Sequence, residues 1–192
     1  MKSESTVKYI LRLTLTLLAI CAFVALALAG VNSITKDRIA AVKAEKTQKA
    51  IQAVLPQAGN VVEASSFADE TGMVSKVYTA SLGNTAAFYG YAVEVVPSGF
   101  GGGITMMVGI GADGKVLGIS VISHAETPGL GAVAAQNTDK GTAFRDQFVG
   151  LVGGISIGDG ENQIDSLSGA TISSKAIVDG VNAALSCIEN MG

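Results

Sequence analysis

The chain has 192 residues, a formal net charge of −3 and a positive mean hydropathy, which suits one modest domain plus a membrane segment rather than two domains. The first 49 residues hold eight basic and three acidic side chains, and the remainder holds five basic and 13 acidic ones. An acidic globular part argues against a nucleic-acid partner, and one histidine and two cysteines without a Cys-x-x-Cys motif give no metal or iron–sulfur site.

Residues 13–31 form an uncharged apolar run, Leu13 to Val31. Its 19 residues approach the roughly 20 that cross a bilayer as a helix. A cleaved signal peptide is the alternative, since Ala27-Leu28-Ala29 has the form of a cleavage site, but the run exceeds the usual signal core of about 7–15 residues. A retained anchor is therefore favoured. Basic residues flank both ends, so charge does not fix the orientation.

The segment after the span has a helical pattern over residues 34–55 and ends at Pro56. The predicted organisation is an N-terminal segment at 1–12, a transmembrane helix at 13–31, a helical stalk or first domain helix at 32–56 and a domain at 57–192.

Four strands are predicted after the turn-rich segment 57–72, at residues 73–80, 88–96, 104–110 and 116–122. Asp113-Gly114 is a strong hairpin signal between the last two. The glycine-rich loop 97–103 is compatible with a phosphate cradle or a strand connection. The connection is favoured because neither Gly-Lys-Ser/Thr nor Rossmann spacing is present. The sheet should be largely antiparallel.

Two helices are predicted beyond the sheet. Residues 132–148 should form one helix with Phe144 and Phe148 in the core. The second helix should begin near Ser173, with Ser173 or Ser174 as N-cap, because apolar side chains recur at its period: Ile177, Val181, Ala184, Leu185 and Ile188. The predicted fold class is α+β, a mainly antiparallel sheet with packed helices.

Small hydroxyl residues precede this last helix, in the run Asp165-Ser166-Leu167-Ser168-Gly169-Ala170-Thr171-Ile172-Ser173-Ser174. Free amides and the positive dipole end at a helix start bind phosphate. A turn that feeds a capped helix is the plainer interpretation, and the residues alone leave both open.

The spacing Asp165-x-x-Ser168-Gly169-Ala170-Thr171 resembles the flavinylation motif of the FMN-binding domain family. The resemblance implies that Thr171 carries FMN through a phosphoester bond. It also implies that a separate flavin transferase, which takes FMN from FAD, recognises Asp165, Ser168, Gly169, Ala170 and Thr171. Ser168, Gly169, Ala170, Ser173 and Ser174 are then the expected neighbours of the phosphate.

A second motif, Glu126-Thr127-Pro128-Gly129-Leu130-Gly131, is similar to the flavin-contacting loop of the G subunit of the Rnf electron-transport complex and of the C subunit of the sodium-translocating NADH:quinone reductase. Pro128 fixes one backbone angle, and the two glycines permit crowded conformations. Leu130 would contact the flavin. A plain Pro-Gly turn is the alternative. Glu126 would be a solvated surface carboxylate without the motif, and His124 is expected to be a structural hydrogen-bond partner.

The resemblance covers nearly the whole chain and favours the Rnf subunit. It implies a flavoprotein subunit, anchored in the cell membrane, that relays electrons through covalent FMN within a ferredoxin:NAD oxidoreductase coupled to ion translocation. Its partners would be the other membrane subunits and the flavin transferase, its N-terminus would be cytoplasmic and its flavin domain extracytoplasmic. No catalytic residue is assigned in this chain. The alternatives are an FMN carrier in a complex of the NADH:quinone reductase type and an anchored binding module without a redox role.

Overall fold

The computed structural model describes residues 2–85, 87–160 and 162–191, with side chains from residue 7 onward. It divides into two compact units between Glu45 and Lys46. Helix α1, Lys2–Val54, supplies the described part of the first unit, where side chains 7–45 are exposed. It is the one helix among the described residues that is long and apolar enough to cross a membrane, and it contains the predicted span at 13–31.

The second unit is built on a five-stranded antiparallel sheet whose strands follow one another in chain order. The predicted fold class is confirmed. The strands are β1 (Ala58–Glu63), β2 (Val74–Leu82), β3 (Phe88–Val95), β4 (Thr105–Gly111) and β5 (Val116–Ser123).

Strand β1 lies in the segment that we predicted to be turn-rich, and that prediction was wrong there. Gly59 and Asn60 are turn formers by type, yet they lie in an edge strand that pairs with β2 through a register shift. A bulged edge strand needs less strand propensity than a central one because it pairs on one side only.

The predicted hairpin between β4 and β5 is confirmed. The Gly111 N–H donates to the Lys115 carbonyl at 2.8 Å, and Gly114 has a φ of +77°, a value that glycine adopts without strain. The loop between β3 and β4 also connects antiparallel neighbours, as favoured from the sequence.

Both faces of the sheet are covered. The end of α1 packs on one face, where Val54 and Leu55 are 1% exposed. Helix α3 (Thr171–Glu189) and the Phe144–Phe148 pair contribute to the core cluster that contains Val93 and Met106. Phe144 and Phe148 meet edge to face with their ring centroids 5.6 Å apart, so the predicted core pair is confirmed.

Residues 132–148 do not form the single helix that we predicted. A 3₁₀ helix, Gly131–Ala135, is followed by α2, Asp139–Asp146. The Thr138 side chain caps α2, and the Arg145 guanidinium donates to two carbonyl groups at 2.6 and 2.9 Å. These side-chain contacts satisfy backbone N–H and carbonyl groups that would otherwise bond within a continuous helix, which stabilises the break.

The glycine-rich segment before α3 contains a short parallel pair, β6 (Ile155–Ile157) and β7 (Asn162–Ile164), that the sequence did not reveal. The Asn182 side chain of α3 accepts from the Ile155 N–H at 3.1 Å and donates to its carbonyl at 2.9 Å. This amide pair fixes β6 on α3, and β7 leads directly into the hydroxyl-rich turn.

Candidate functional site

Helix α3 begins at Thr171, two residues earlier than predicted, and its N-cap is Ala170 rather than Ser173 or Ser174. The prediction of a serine cap was wrong because the preceding turn already directs the chain into the helix. Gly169 has a φ of +71°, and the Ala170 N–H donates to the Leu167 carbonyl at 3.0 Å.

Both serines are buried and bond within the protein. Ser174 Oγ accepts from the Leu167 N–H at 2.9 Å and donates to the Ala170 carbonyl at 3.0 Å, which ties the turn to the first helical turn. The Ser173 hydroxyl donates to Glu126 Oε2. Each serine therefore stabilises the start of α3 through hydrogen bonds of its buried hydroxyl group.

The outward side of the helix start is open. Within the described part of the chain, no protein acceptor pairs with the N–H groups of Thr171, Ile172 and Ser173, and α3 has no side-chain cap. Thr171, the first residue of the helix, is exposed beside these amides, and Ser168 is exposed in the preceding turn. Unpaired amides at the positive end of a 19-residue helix form a favourable position for an anion.

Glu126 is buried, with 6% of its surface exposed, so it is not the solvated carboxylate that its residue type suggests. Oε1 accepts from the Gly101 N–H at 3.0 Å and Oε2 accepts from the Ser173 hydroxyl. Its own N–H donates to His124 Nδ1 at 3.2 Å, the structural role expected for that histidine. Glu126 thus joins the β3–β4 loop, the segment after β5 and the start of α3.

A cavity of about 350 Å³ lies between the 126–131 loop and the start of α3. The structure therefore brings the two sequence motifs together around one space. Its polar side is formed by Glu126, Thr127, Thr171 and Ser173, and its apolar side chains are Phe100, Leu130 and Ile172, with Gly131, Gly169 and Ala170 between them.

Not every predicted site residue reaches the cavity wall. Pro128 and Gly129 are exposed in the loop and are not among the lining residues. The exposed Ser168 and the fully buried Ser174 do not line the cavity either. Gly129 has a positive φ, +78°, as its residue type permits in this loop. Gly131 is required for a different reason, since a Cβ there would lie 2.3 Å from Ser173 Oγ.

Asp165 lies outside the cavity, with an exposed side chain. Its backbone is held by Gln147, a residue that no sequence motif singles out. The Asp165 N–H donates to Gln147 Oε1 at 2.7 Å, and Gln147 Nε2 donates to the Asp165 carbonyl at 3.3 Å. The carboxylate is therefore presented to solvent on a fixed backbone.

The β3–β4 loop supplies site residues that sequence reasoning missed. Phe100 lines the cavity, and Gly101 donates to Glu126. The loop was recognisable as glycine-rich, but the sequence did not show why. Gly101 lets the loop backbone lie close to the segment after β5, since a Cβ on Gly101 would lie 2.1 Å from the Ala125 carbonyl oxygen. Only the tertiary fold shows which segment the loop approaches.

Together, the fold and the site define an α+β protein with one N-terminal helix long and apolar enough to cross a membrane, and with the start of α3 open to an anion beside a partly apolar cavity. A family model described as the FMN-binding domain matches residues 99–186, and one described as the RnfG N-terminal region matches residues 1–54. The chain belongs to the family of G subunits of ion-translocating oxidoreductase complexes, and its second unit contains an FMN-binding domain.

Two relatives span nearly the whole chain. The G subunit of the Na⁺-translocating ferredoxin:NAD⁺ oxidoreductase complex of Acetobacterium woodii is 32% identical over 198 residues, with 96% of this chain and 94% of that protein covered. The G subunit of the ion-translocating oxidoreductase complex of Methanosarcina acetivorans is 33% identical over 181 residues, with 93% and 94% covered.

A solved structure is also similar, the C subunit of the Na⁺-translocating NADH-quinone reductase from Parabacteroides distasonis. It is 21% identical with a TM-score of 0.47, and the match covers 60% of this chain and 62% of that one.

The residues present fit FMN. The open amides at Thr171, Ile172 and Ser173 suit a phosphate, and the Thr171 hydroxyl stands beside them. Leu130 and Phe100 supply apolar surface for a flat ring system. A cavity of about 350 Å³ falls within the usual range of about 300–1,000 Å³ for small-molecule sites.

Proposed function

We propose that this chain is the flavoprotein subunit that relays electrons within an ion-translocating ferredoxin:NAD⁺ oxidoreductase complex, through FMN esterified to Thr171. The observation that carries the proposal is the position of Thr171. It is exposed, it is the first residue of α3, and it lines a cavity whose other wall is the loop 126–131.

The attachment is a phosphoryl transfer without a redox change. The Thr171 hydroxyl gives up its proton as Oγ forms a bond to the FMN phosphorus of FAD. The pyrophosphate bond breaks and AMP leaves. A separate flavin transferase performs this step, and Asp165 with the residues 168–171 forms the recognition element. The exposure of Asp165 and Ser168 supports this role, because an enzyme can reach both side chains.

The protein's own residues bind and orient the cofactor. The amides at the start of α3 hold the phosphate, and the helix dipole favours its negative charge. Leu130 and Thr127 would contact the ring from the opposite wall, and Glu126 fixes that wall on α3 through Ser173. When bound, FMN supplies the electron-transfer chemistry, and the surrounding protein tunes its potential through nearby polarity.

The expected protein partners are inferred from the names of the relatives and from the apolar N-terminal helix. The Acetobacterium woodii relative is named as a subunit of a ferredoxin:NAD⁺ oxidoreductase complex, so this chain is expected to assemble with other membrane subunits of such a complex. We infer an extracytoplasmic position for the flavin domain and a short cytoplasmic N-terminus. A long domain can be translocated despite basic residues beside the span.

The proposal is tested by intact-mass measurement of the full chain after expression with and without a flavin transferase. We expect a gain of one FMN-sized adduct that requires the transferase. Thr171→Ala should abolish the adduct because no oxygen remains for the ester, whereas Thr171→Ser, which keeps the hydroxyl, should retain some attachment. Thr85→Ala, in the β2–β3 turn, is the control for loss of an exposed threonine. A fluorescent flavin band on a denaturing gel of Thr171→Ala would contradict the assignment.

A further inference from the structure

Phe100 stands at the tip of the β3–β4 loop with 69% of its surface exposed, more than the other exposed large apolar residues described beyond Lys46. It lines the same cavity as Thr171. Leu130, at 43%, and Ile172, at 57%, are the other exposed apolar residues of that lining. Single exposed apolar side chains are ordinary, but three around one cavity indicate a surface that binds something apolar.

The backbone of the loop holds Phe100 in this position. The Gly99 N–H donates to the Gly102 carbonyl at 2.8 Å, and the Gly101 N–H donates to Glu126 Oε1 at 3.0 Å. Both flanking glycines pack where no Cβ fits. A Cβ on Gly99 would lie 2.3 Å from Glu126 Oε1, and one on Gly101 would lie 2.1 Å from the Ala125 carbonyl oxygen. An anchored loop therefore projects the Phe100 ring outward.

We propose that Phe100 stacks against the isoalloxazine ring of the bound FMN and covers the face that Leu130 leaves open. The inference rests on the proposed function and deepens it, since Phe100 lies in a third segment of the chain, outside both sequence motifs. With a volume of about 350 Å³ the cavity is near the low end of the range for small-molecule sites. Phe100 supplies an exposed apolar side chain on this cavity, which it shares with Thr171, the proposed point of attachment of the flavin.

The shared wall favours FMN over a protein partner as the occupant. Phe100 and Thr171 line one cavity, so a cofactor held by Thr171 reaches Phe100. No Lys, Arg, Asp or His is among the described residues that line it, and its one carboxylate, Glu126, is engaged by Gly101 and Ser173. A flat aromatic system meets a phenylalanine ring in the stacked or edge-on arrangements that aromatic pairs prefer.

The chain contains no tryptophan, which makes a contact assay possible. Phe100→Trp is prepared in the flavinylated full chain, and the flavin is excited at visible wavelengths that tryptophan does not absorb. An indole in contact with a flavin quenches its emission by electron transfer, so we expect a severalfold loss of flavin emission. Phe88→Trp is the matched control, since Phe88 is 47% exposed at the start of β3 and does not line this cavity. Equal emission from the two variants overturns the proposal.

A second measurement uses the opposite change. Phe100→Ala should increase quenching of the flavin by iodide, because one face of the ring becomes open to solvent, whereas Phe88→Ala should leave it unchanged. Intact mass checks the adduct in every variant. A parent chain without the adduct contradicts attachment at Thr171, and FMN titrated into the same variants then tests Phe100 by itself. If iodide quenching is the same in Phe100→Ala and the parent, Phe100 does not cover the flavin and a protein partner becomes the occupant to test.

Discussion

Glu126 links three segments through its two carboxylate oxygens, so its truncation should destabilise the domain. Glu126→Ala leaves the Gly101 N–H and the Ser173 hydroxyl without their acceptor. The Ser173 hydroxyl is buried, and an unsatisfied buried donor costs about 1–3 kcal/mol. About 1 kcal/mol shifts the midpoint of a domain near 150 residues by roughly 2–4 °C. Thermal unfolding of the full chain in detergent should therefore show a midpoint several degrees lower.

Glu126→Gln should fall between the parent and the alanine variant, because its amide keeps one acceptor oxygen. Glu70→Ala removes an exposed carboxylate and serves as the control. If Glu126→Ala melts with the parent, the carboxylate does not stabilise the loop arrangement.

Variants of Asp165 and Gln147 should distinguish recognition by the flavin transferase from the thermal stability of the domain. Asp165→Ala removes an exposed side chain, so we expect slower FMN attachment by the transferase with an unchanged melting temperature. Gln147→Ala keeps the Asp165 carboxylate but removes the two hydrogen bonds that hold the Asp165 backbone. Both the attachment rate and the melting temperature should therefore fall. Time-resolved mass measurement follows the first and thermal unfolding the second. Unchanged attachment in Asp165→Ala would place this carboxylate outside the recognition element.

At the scale of loops, a variant of the segment 126–131 tests whether the backbone conformation of this loop affects the redox potential of the flavin. Gly129 has a φ of +78°, which a β-branched residue tolerates badly, so Gly129→Val must distort the loop. The ester at Thr171 should still form, because attachment uses the other end of the cofactor. The flavin potential should shift, and about 30 mV corresponds to roughly 1.4 kcal/mol for two electrons.

Gly72→Val provides the same backbone strain at a φ of +69° in the β1–β2 connection, away from the cavity lining. It should lower stability without changing the potential. A fully flavinylated Gly129→Val with the parent's potential and spectrum would show that the loop is an ordinary Pro-Gly turn.

The β1–β2 connection carries a pH-dependent contact. The Asp69 carboxylate accepts from the Thr71 N–H, the Thr71 hydroxyl and the Val74 N–H at 2.6–2.8 Å. Burial raises the pKa of Asp69, but these hydrogen bonds outweigh it and hold the pKa below its ordinary value of 3.8. A carboxyl with a lowered folded-state pKa stabilises the fold above its unfolded-state pKa, and this contribution is lost as the pH falls through the folded-state value.

Asp69→Asn should therefore flatten the acid limb of the stability profile, from roughly pH 4 downward. The measurement is the melting temperature against pH, with the exposed neighbour Glu70→Gln as the control. Parallel profiles for Asp69→Asn and the parent would mean that the turn does not depend on this charge.

The same elements show how far the sequence alone reaches. The apolar period of α3, the Asp-Gly hairpin and four of the five sheet strands were predictable because they are local patterns, whereas the bulged edge strand β1 was not. The start of α3 was not, since Ser173 is engaged by Glu126, 47 positions earlier in the chain. Likewise, two motifs could be recognised, but Phe100 and Gln147 acquire their positions only through tertiary contacts.

For the whole molecule, one labelling experiment tests both the membrane anchor and the side of the membrane on which the flavin domain lies. Asn84 is exposed in the β2–β3 turn, so Asn84→Cys in a Cys21→Ser background offers one accessible thiol. Cys187 adds little signal because it is buried, and burial together with the nearby Asp69 charge raises its thiol pKa and keeps it protonated. We expect labelling by a membrane-impermeant maleimide added to intact cells, since we propose that the flavin domain lies outside the cytoplasm. The labelled chain should stay in the membrane pellet after an alkaline carbonate wash, because its N-terminal helix is long and apolar enough to cross a membrane. Labelling only after lysis would put the domain in the cytoplasm. A released chain that begins at Gly30 would show instead that the protein is cleaved after Ala27-Leu28-Ala29 and that the helix is not a permanent anchor.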